Sequence, residues 1–185
     1  MEKNVLKVRM LGTFSLEYKG KELVLDRNKA SKTTQLFQLL MFHTEDGGIS
    51  KAAMIDALYG RVEVENKNGS LNNTIFRLRK QLRDIGLPES KYINIQSGMC
   101  CWDENIKVWV DVCEFKRLVE QVRTEKREGD RLQLWLKIWK IYKGEFLPDM
   151  IGENWAAVEN VQCRDDYFQV TTQLCQWLKN NERYE

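Results

Sequence analysis

Residues 69–86 read GSLNNTIFRLRKQLRDIG. Leu71, Ile75, Leu78 and Leu82 recur at steps of four, three and four, which places them on one stripe of an α-helix. Asn68 or Ser70 can cap the start, and Gly86 followed by Pro88 stops the helix. Opposite the stripe lie Asn73, Phe76, Arg77 and Lys80, flanked by Asn72, Arg79 and Arg83. No acidic residue precedes Asp84 in this segment, whereas a solvated helix ordinarily interleaves Glu and Lys at four-residue spacing. Two readings follow from the segment alone: a basic surface helix without a ligand, or a helix that lies against a nucleic acid.

The chain is long enough for one domain or two small ones, and its 43 % hydrophobic content with six Trp can build a core rather than leave the chain disordered. A formal net charge of +2 hides an asymmetry. Residues 1–110 carry 17 Lys and Arg against 13 Asp and Glu, and residues 111–185 carry 12 against 14. The cationic excess therefore lies in the half that holds the basic helix, which favours a polyanionic partner for that half. Five cysteines without a C-x-x-C pair, together with His43 as the one histidine, leave little supply of zinc ligands. An odd cysteine count outside a disulfide framework suits a reducing, cytoplasmic setting. The richest apolar run, LFQLLMF, is far short of a membrane span.

Working outward, VLKVRMLGTFSLEYKG alternates apolar and polar positions, and KELVL resumes after a turn at Lys19–Gly20, so a β-meander opens the chain with Gly12 at a bulge or turn. A helix follows over KASKTTQLFQLLMFHTED, with Leu36, Leu39, Leu40 and Phe37 inward and its end at Gly47–Gly48. Ile49–Ser50 is one extended rung, and Ser50 caps KAAMIDALYG, whose Met54, Ile55 and Leu58 face the core. After Pro88 the period returns to two: KYINIQ, a Ser97–Gly98 turn and MCCW form a hairpin, and IKVWV forms an additional strand. Cys100 and Cys101, adjacent on a strand, face opposite sides. From Asp111 onward the pattern is helical. Phe115, Leu118, Val119 and Val122 share a side, a second helix follows Gly129, FLPDM interrupts, and a long helix runs towards the end. Trp135, Trp139 and Tyr142 at helical spacing are core or a packing ridge. The closing polar cluster KNNERYE has no further core behind it and reads as the edge of a longer protein.

Three helices with a basic third and a hairpin after it are the layout of a winged helix-turn-helix. In that layout the third helix enters the major groove, and the hairpin, here with Lys91 and the small Ser97–Gly98 tip, reaches the adjacent backbone or minor groove. The segments VRMLGTFSLEYKGKELVL, RNKASKTTQLFQLLMF, ISKAAMIDALYG and SLNNTIFRLRKQLRDIG, in this order, resemble the DNA-binding domain of antibiotic-regulatory-protein (SARP) type activators, an OmpR/PhoB-like winged helix. VWVDVCEFKRLVEQ, YKGEFLPDM and WAAVENVQCRDDY resemble the bacterial transcriptional activator domain (BTAD) that follows it, a TPR-like all-α module. The resemblance spans the whole chain and departs at the wing tip, where Ser97–Gly98–Met99 replaces a Gly-Gly-Tyr or Gly-x-Gly-Tyr pattern.

The resemblance implies an α+β winged-helix domain over residues 1–110, a helical domain over 111–185, and a DNA-binding transcriptional activator. It carries base contacts onto Asn72, Asn73, Phe76 and Arg77, and phosphate contacts onto Arg79, Lys80 and Arg83. The chemistry of the side chains agrees: an amide bridges adenine N6 and N7, Arg bridges guanine O6 and N7, and an aromatic ring touches a thymine methyl. For Asn72 a capping or solvent role stays open, and for Phe76 packing against the wing. Arg27, Lys29 and Lys32, at the start of the first long helix, can hold a phosphate together with backbone N–H groups, or simply face solvent. Lys91 and Ser97 complete the candidate phosphate set. His43 reads as a C-terminal cap or a surface residue. The partners implied are double-stranded promoter DNA as direct repeats, RNA polymerase and a second copy of the chain, with no membrane and no cofactor. A protein-interaction scaffold with a degenerate winged helix is the alternative. No nucleophile-elbow, phosphate-loop or metal-ligand motif points to an enzyme.

Overall fold

The computed structural model describes residues 4–28 and 30–181. It divides into two units, one comprising the chain up to Arg9 with Phe14–Val110, the other Met10–Thr13 with the chain from Asp111 onward.

In the first unit β1 (Leu6–Arg9), β2 (Ser15–Tyr18) and β3 (Lys21–Leu23) form the antiparallel meander. Lys19 and Gly20 join β2 to β3 with φ of 53° and 77°, as the primed two-residue hairpin turn requires. The strand after the hairpin, β7 (Val108–Val110), adds to the same sheet parallel to β1, with Leu6 opposite Val108, to give the order β3-β2-β1-β7. A second, three-stranded sheet takes the order β4-β6-β5 from Ile49–Ser50 (β4), Ile93–Gln96 (β5) and Met99–Trp102 (β6). The helices are α1 (Lys32–Phe42), α2 (Lys51–Tyr59) and α3 (Lys67–Asp84), and α1 packs against both others.

Leu36, Phe37, Leu39, Leu40 and Met41 bury α1 almost completely. Phe37 meets Trp102 edge-on at 5.8 Å, and Trp102 lies 6.3 Å from the ring of Tyr92, so one aromatic cluster joins α1 to the second sheet. The helix stops at Phe42 rather than at Gly47–Gly48. The N–H of His43 closes on the Leu39 carbonyl (3.1 Å) and the N–H of Gly48 on the His43 carbonyl (3.0 Å), so residues 43–48 fold as a turn. Gly48 has φ +104°, and a Cβ there would lie 2.5 Å from the Cys100 carbonyl oxygen and 2.8 Å from Cys101 Sγ. Only glycine lets this turn close against β6. Cys100 is buried, which pushes its thiol pKa up, while Cys101 is half-buried and donates to the Gly47 carbonyl at 3.2 Å.

The second unit holds α4 (Asp111–Thr124), α5 (Glu128–Ile141), a 3-10 turn at Pro148–Met150 and α6 (Asn154–Asn180). Gly129 lies inside the first turn of α5 instead of preceding it. Phe115, Leu118, Val119 and Val122 are buried, as the periodicity requires, with Trp135, Ile138, Cys163, Val170 and Leu174. The aromatic series of α5 is split: Trp135 is core, Tyr142 stacks on Tyr167 at 4.1 Å, and Trp139 is 51 % exposed. Residues 10–12 are not a bulge in the meander but a thread through this unit. The N–H groups of Met10 (2.7 Å) and Leu11 (3.0 Å) donate to the buried Asp111 carboxylate, which also accepts the N–H of Val112 (2.8 Å). Leu147 N–H returns to the Met10 carbonyl at 2.9 Å, and Gly12 N–H to that of Glu145 at 2.8 Å.

Gly48→Ala combines a strained left-handed backbone with a clash against β6 and is expected to lower stability by about 2 kcal/mol or more. Urea unfolding checks it: the midpoint falls while the slope stays unchanged.

Candidate nucleic-acid interface

The basic helix starts earlier than its sequence suggests. Asn66, not Asn68 or Ser70, is the N-cap, its side chain accepting the N–H of Gly69 at 2.8 Å. At the far end Gly86 takes φ +91°, its N–H returns to the Arg83 carbonyl (3.0 Å), and the Leu87 N–H returns to that of Leu82 (3.2 Å). This is the six-to-one closure by which glycine terminates helices. Leu71, Leu78 and Leu82 are fully buried and Ile75 nearly so. Each such side chain contributes about 1.5–3 kcal/mol by leaving water. Tyr59 of α2 locks the same face: its hydroxyl donates to the Ser70 carbonyl (3.3 Å) and shares a hydrogen bond with Thr74 Oγ1 (2.7 Å).

With that face fixed, the opposite one must point to solvent. Asn72, Asn73, Phe76, Arg77, Lys80 and Arg83 are all exposed, Phe76 to 69 %. Phe76 therefore does not pack sideways. Among the described residues no hydrogen bond or ion pair engages the side chains of Asn72, Asn73, Arg77 or Lys80. Several arginines of the second unit behave differently: Arg117 pairs with Glu114, Arg123 with Glu120 and Asp166, and Arg127 with Asp130. Such surface pairs add little stability, but they cancel field. On α3 nothing cancels it before Asp84, and the charges lie within a Debye length of one another.

Arg79 is set apart from its neighbours. Its guanidinium turns sideways, with Nε donating to the Lys91 carbonyl (3.0 Å) and Nη2 to the Ile93 carbonyl (2.6 Å), which clamps the hairpin to α3. Arg suits this because its fork presents parallel N–H groups in a fixed geometry. Three N–H groups of the fork remain for other acceptors. The base of the hairpin is set by Tyr92, buried at φ 58°, whose N–H donates to Ser90 Oγ (2.9 Å). Ser90 in turn donates to Asp103, and this hydroxyl holds the Asp103 carboxyl below the usual carboxylate range. At the tip Ser97 and Gly98 both have positive φ, and the Gly98 carbonyl accepts the N–H of Lys51 at 2.7 Å. Lys91 and Ser97 are exposed.

The start of α1 is more crowded than its cations imply. Ser31 caps the helix by accepting the Thr34 N–H (3.2 Å) and donates to Asp26 (2.8 Å), so a carboxylate already occupies this end. Arg27 is exposed, and Lys32 donates to Gln35 at 3.0 Å. Lys29 lies outside the described residues. His43 caps α1 through its backbone, and its ring meets Asp46 at 3.1 Å. Among the described residues no group of three His, Cys, Asp or Glu side chains is arranged to hold a metal ion, and no helix is long and apolar enough to cross a membrane.

No protein-family model matches the sequence, and neither does a curated protein. The fold is similar to a solved structure of Mycobacterium tuberculosis EmbR in complex with a low-affinity phosphopeptide, at a TM-score of 0.71 and 14 % identity. The similarity covers 98 % of this chain and 47 % of that one, so the chain spans about half the length of its structural neighbour. At that identity the likeness is one of fold.

Arg79→Ala removes both bonds of the clamp: the Ile93 carbonyl loses its guanidinium donor, and the Lys91 carbonyl keeps only the N–H of Ile93 (2.7 Å). A loss of about 1–3 kcal/mol follows, concentrated in the hairpin. Hydrogen exchange at Ile93–Gln96 should accelerate more than exchange within α3, and Arg79→Lys should not restore it, because a single ammonium lacks the fork.

Proposed function

We propose that the chain is a sequence-specific DNA-binding transcriptional regulator, an activator of SARP type. In this reading the first unit is an OmpR/PhoB-like winged helix and the second a BTAD, TPR-like module. The observation that carries it is the solvent face of α3, where amides, an aromatic ring and unpaired cations share one side of a helix whose other side is fixed in the core. An α-helix about 10–12 Å across fits a major groove about 12 Å wide.

Asn72, Asn73, Phe76 and Arg77 read base edges: the amides suit adenine, Arg77 suits guanine, and Phe76 meets a thymine methyl. Lys80 and Arg83 hold phosphates beside them, and Lys91 and Ser97 hold phosphates from the wing. Arg79 contributes chiefly by fixing the wing to the reading helix, with its remaining N–H groups turned to the backbone. Arg27 and Lys32 add to the phosphate grip from the start of α1, beside Asp26, whose charge limits their share, and Lys29, outside the described residues, joins them on the sequence alone. The second unit serves self-association on direct repeats or contact with RNA polymerase, in the cytoplasm. A scaffold with a degenerate winged helix would have no use for uncompensated cations on α3, which is why DNA reading is preferred.

Fluorescence anisotropy on a preferred duplex and on a scrambled one, at two salt concentrations, tests the assignment. Arg77→Ala should lower the ratio of specific to non-specific affinity by the roughly 1–3 kcal/mol of one bidentate base contact. Lys80→Ala should weaken both duplexes alike and flatten the salt slope by about one unit. If the two substitutions act identically, Arg77 does not read a base.

A further inference from the structure

We infer that the helical unit carries a binding cleft for a carboxylate borne on a short aliphatic chain. The cleft, about 190 Å³, opens among three helices and is lined by Val119, Val122 and Arg123 of α4, Arg131 of α5, and Gln169, Val170 and Gln173 of α6.

Its two arginines differ in how their charge is met. Arg123 is neutralised, with Asp166 at 2.8 Å and Glu120 on its other side. Arg131 has no carboxylate partner among the described residues; its guanidinium lies 5.2 Å from the ring centre of Trp135, and its Nε is buried without a hydrogen-bond partner. Stacking on an aromatic face holds the fork flat and leaves its edge for an acceptor. One uncompensated cation, two primary amides and three valines therefore share one small space.

Those contents select the ligand. A single free guanidinium balances one negative charge, so a monoanion fits and a phosphate dianion would remain unbalanced. Carboxylate geometry matches the fork, the Gln169 and Gln173 amides supply further donors, and the valines cover an aliphatic tail. At roughly 30 Å³ per water-sized group, the volume admits about six non-hydrogen atoms. The ligand class is a branched or linear carboxylate of about four carbons, either as a free acid or as the C-terminal residue of a peptide ending in a small aliphatic residue such as Val. The cleft lies wholly within the second unit, and the inference does not rest on DNA reading.

Calorimetric titration of the full 185-residue chain with 2-methylpropanoate and with 2-methylpropanamide tests it, followed by acetyl-Ala-Ala-Val as the acid and as the C-terminal amide. At least one of the two carboxylates should bind saturably and at least tenfold more tightly than its amide. Preference for the free acid assigns a small-molecule source, and preference for the peptide acid a chain terminus. Arg131→Gln should weaken binding at least tenfold and Arg131→Lys by less. Methyl NMR on the unmutated chain should move Val119, Val122 and Val170 on titration, independently of how any variant folds. Absence of saturation by both acids, equal binding of acid and amide, or shifts that spare these valines would overturn the site.

Discussion

The buried stripe of α3 is the constraint on which the rest of the first unit depends. Leu71, Ile75, Leu78 and Leu82 can leave water only if α3 lies against α1 and α2 in one rotational setting. A turn of the helix by one residue would swing Arg77 or Lys80 towards the core and bring Leu78 out, at a cost of several kcal/mol. The outward set Asn72, Asn73, Phe76, Arg77 and Lys80 is thus presented by exclusion. Among the described residues no hydrogen bond or ion pair holds those side chains in place; the core holds the helix that carries them. The Tyr59–Thr74 bond and the Arg79 clamp then fix α2 and the hairpin to the same helix.

Electrostatics separate the two units as sharply as packing does. In the second unit arginines at three-residue spacing meet a carboxylate on their own helix, and Lys116 reaches Glu159 on α6 at 3.0 Å. A surface built in that way is solvated and locally neutral. On α3 the cations stand with amides and an exposed ring, a composition that gains from a polyanion and gains little from water alone. Arg131 departs from those paired arginines, a cation whose neighbours are an aromatic ring and valines.

Much of this was legible because periodicity reports burial directly. The stripe of α3, the inward set of α4, the capping serine of α2 and the Ser97–Gly98 turn all follow from local spacing and the backbone demands of single residues. What was not legible depends on distance in the chain or on the reach of a side chain. Asn66, Asn68 and Ser70 are all competent caps, and the choice of Asn66 is made by where the preceding loop delivers the chain. The parallel pairing of β7 with β1 joins residues about a hundred positions apart, and no local pattern encodes it. Residues 10–12 carry strand-like alternation, yet the N–H groups of Met10 and Leu11 go to the Asp111 carboxylate and that of Gly12 to the Glu145 carbonyl. A helical wheel puts Arg79 beside Lys80 and Arg83 as one more cation; only the nearby carbonyls of Lys91 and Ile93 show that it fastens the hairpin.

The central claim is that the outward face of α3 reads base sequence. Its most direct test is affinity selection from a random duplex pool, run in parallel with the chain as it stands and with a variant in which Asn72, Asn73 and Arg77 are all Ala. All three positions are solvent-facing, so the variant should keep the fold. The account predicts that the unaltered chain enriches one short motif and that the variant, still retaining salt-sensitive binding through Lys80 and Arg83, enriches none. Recovery of the same motif by both proteins, or of no motif by either, would contradict it.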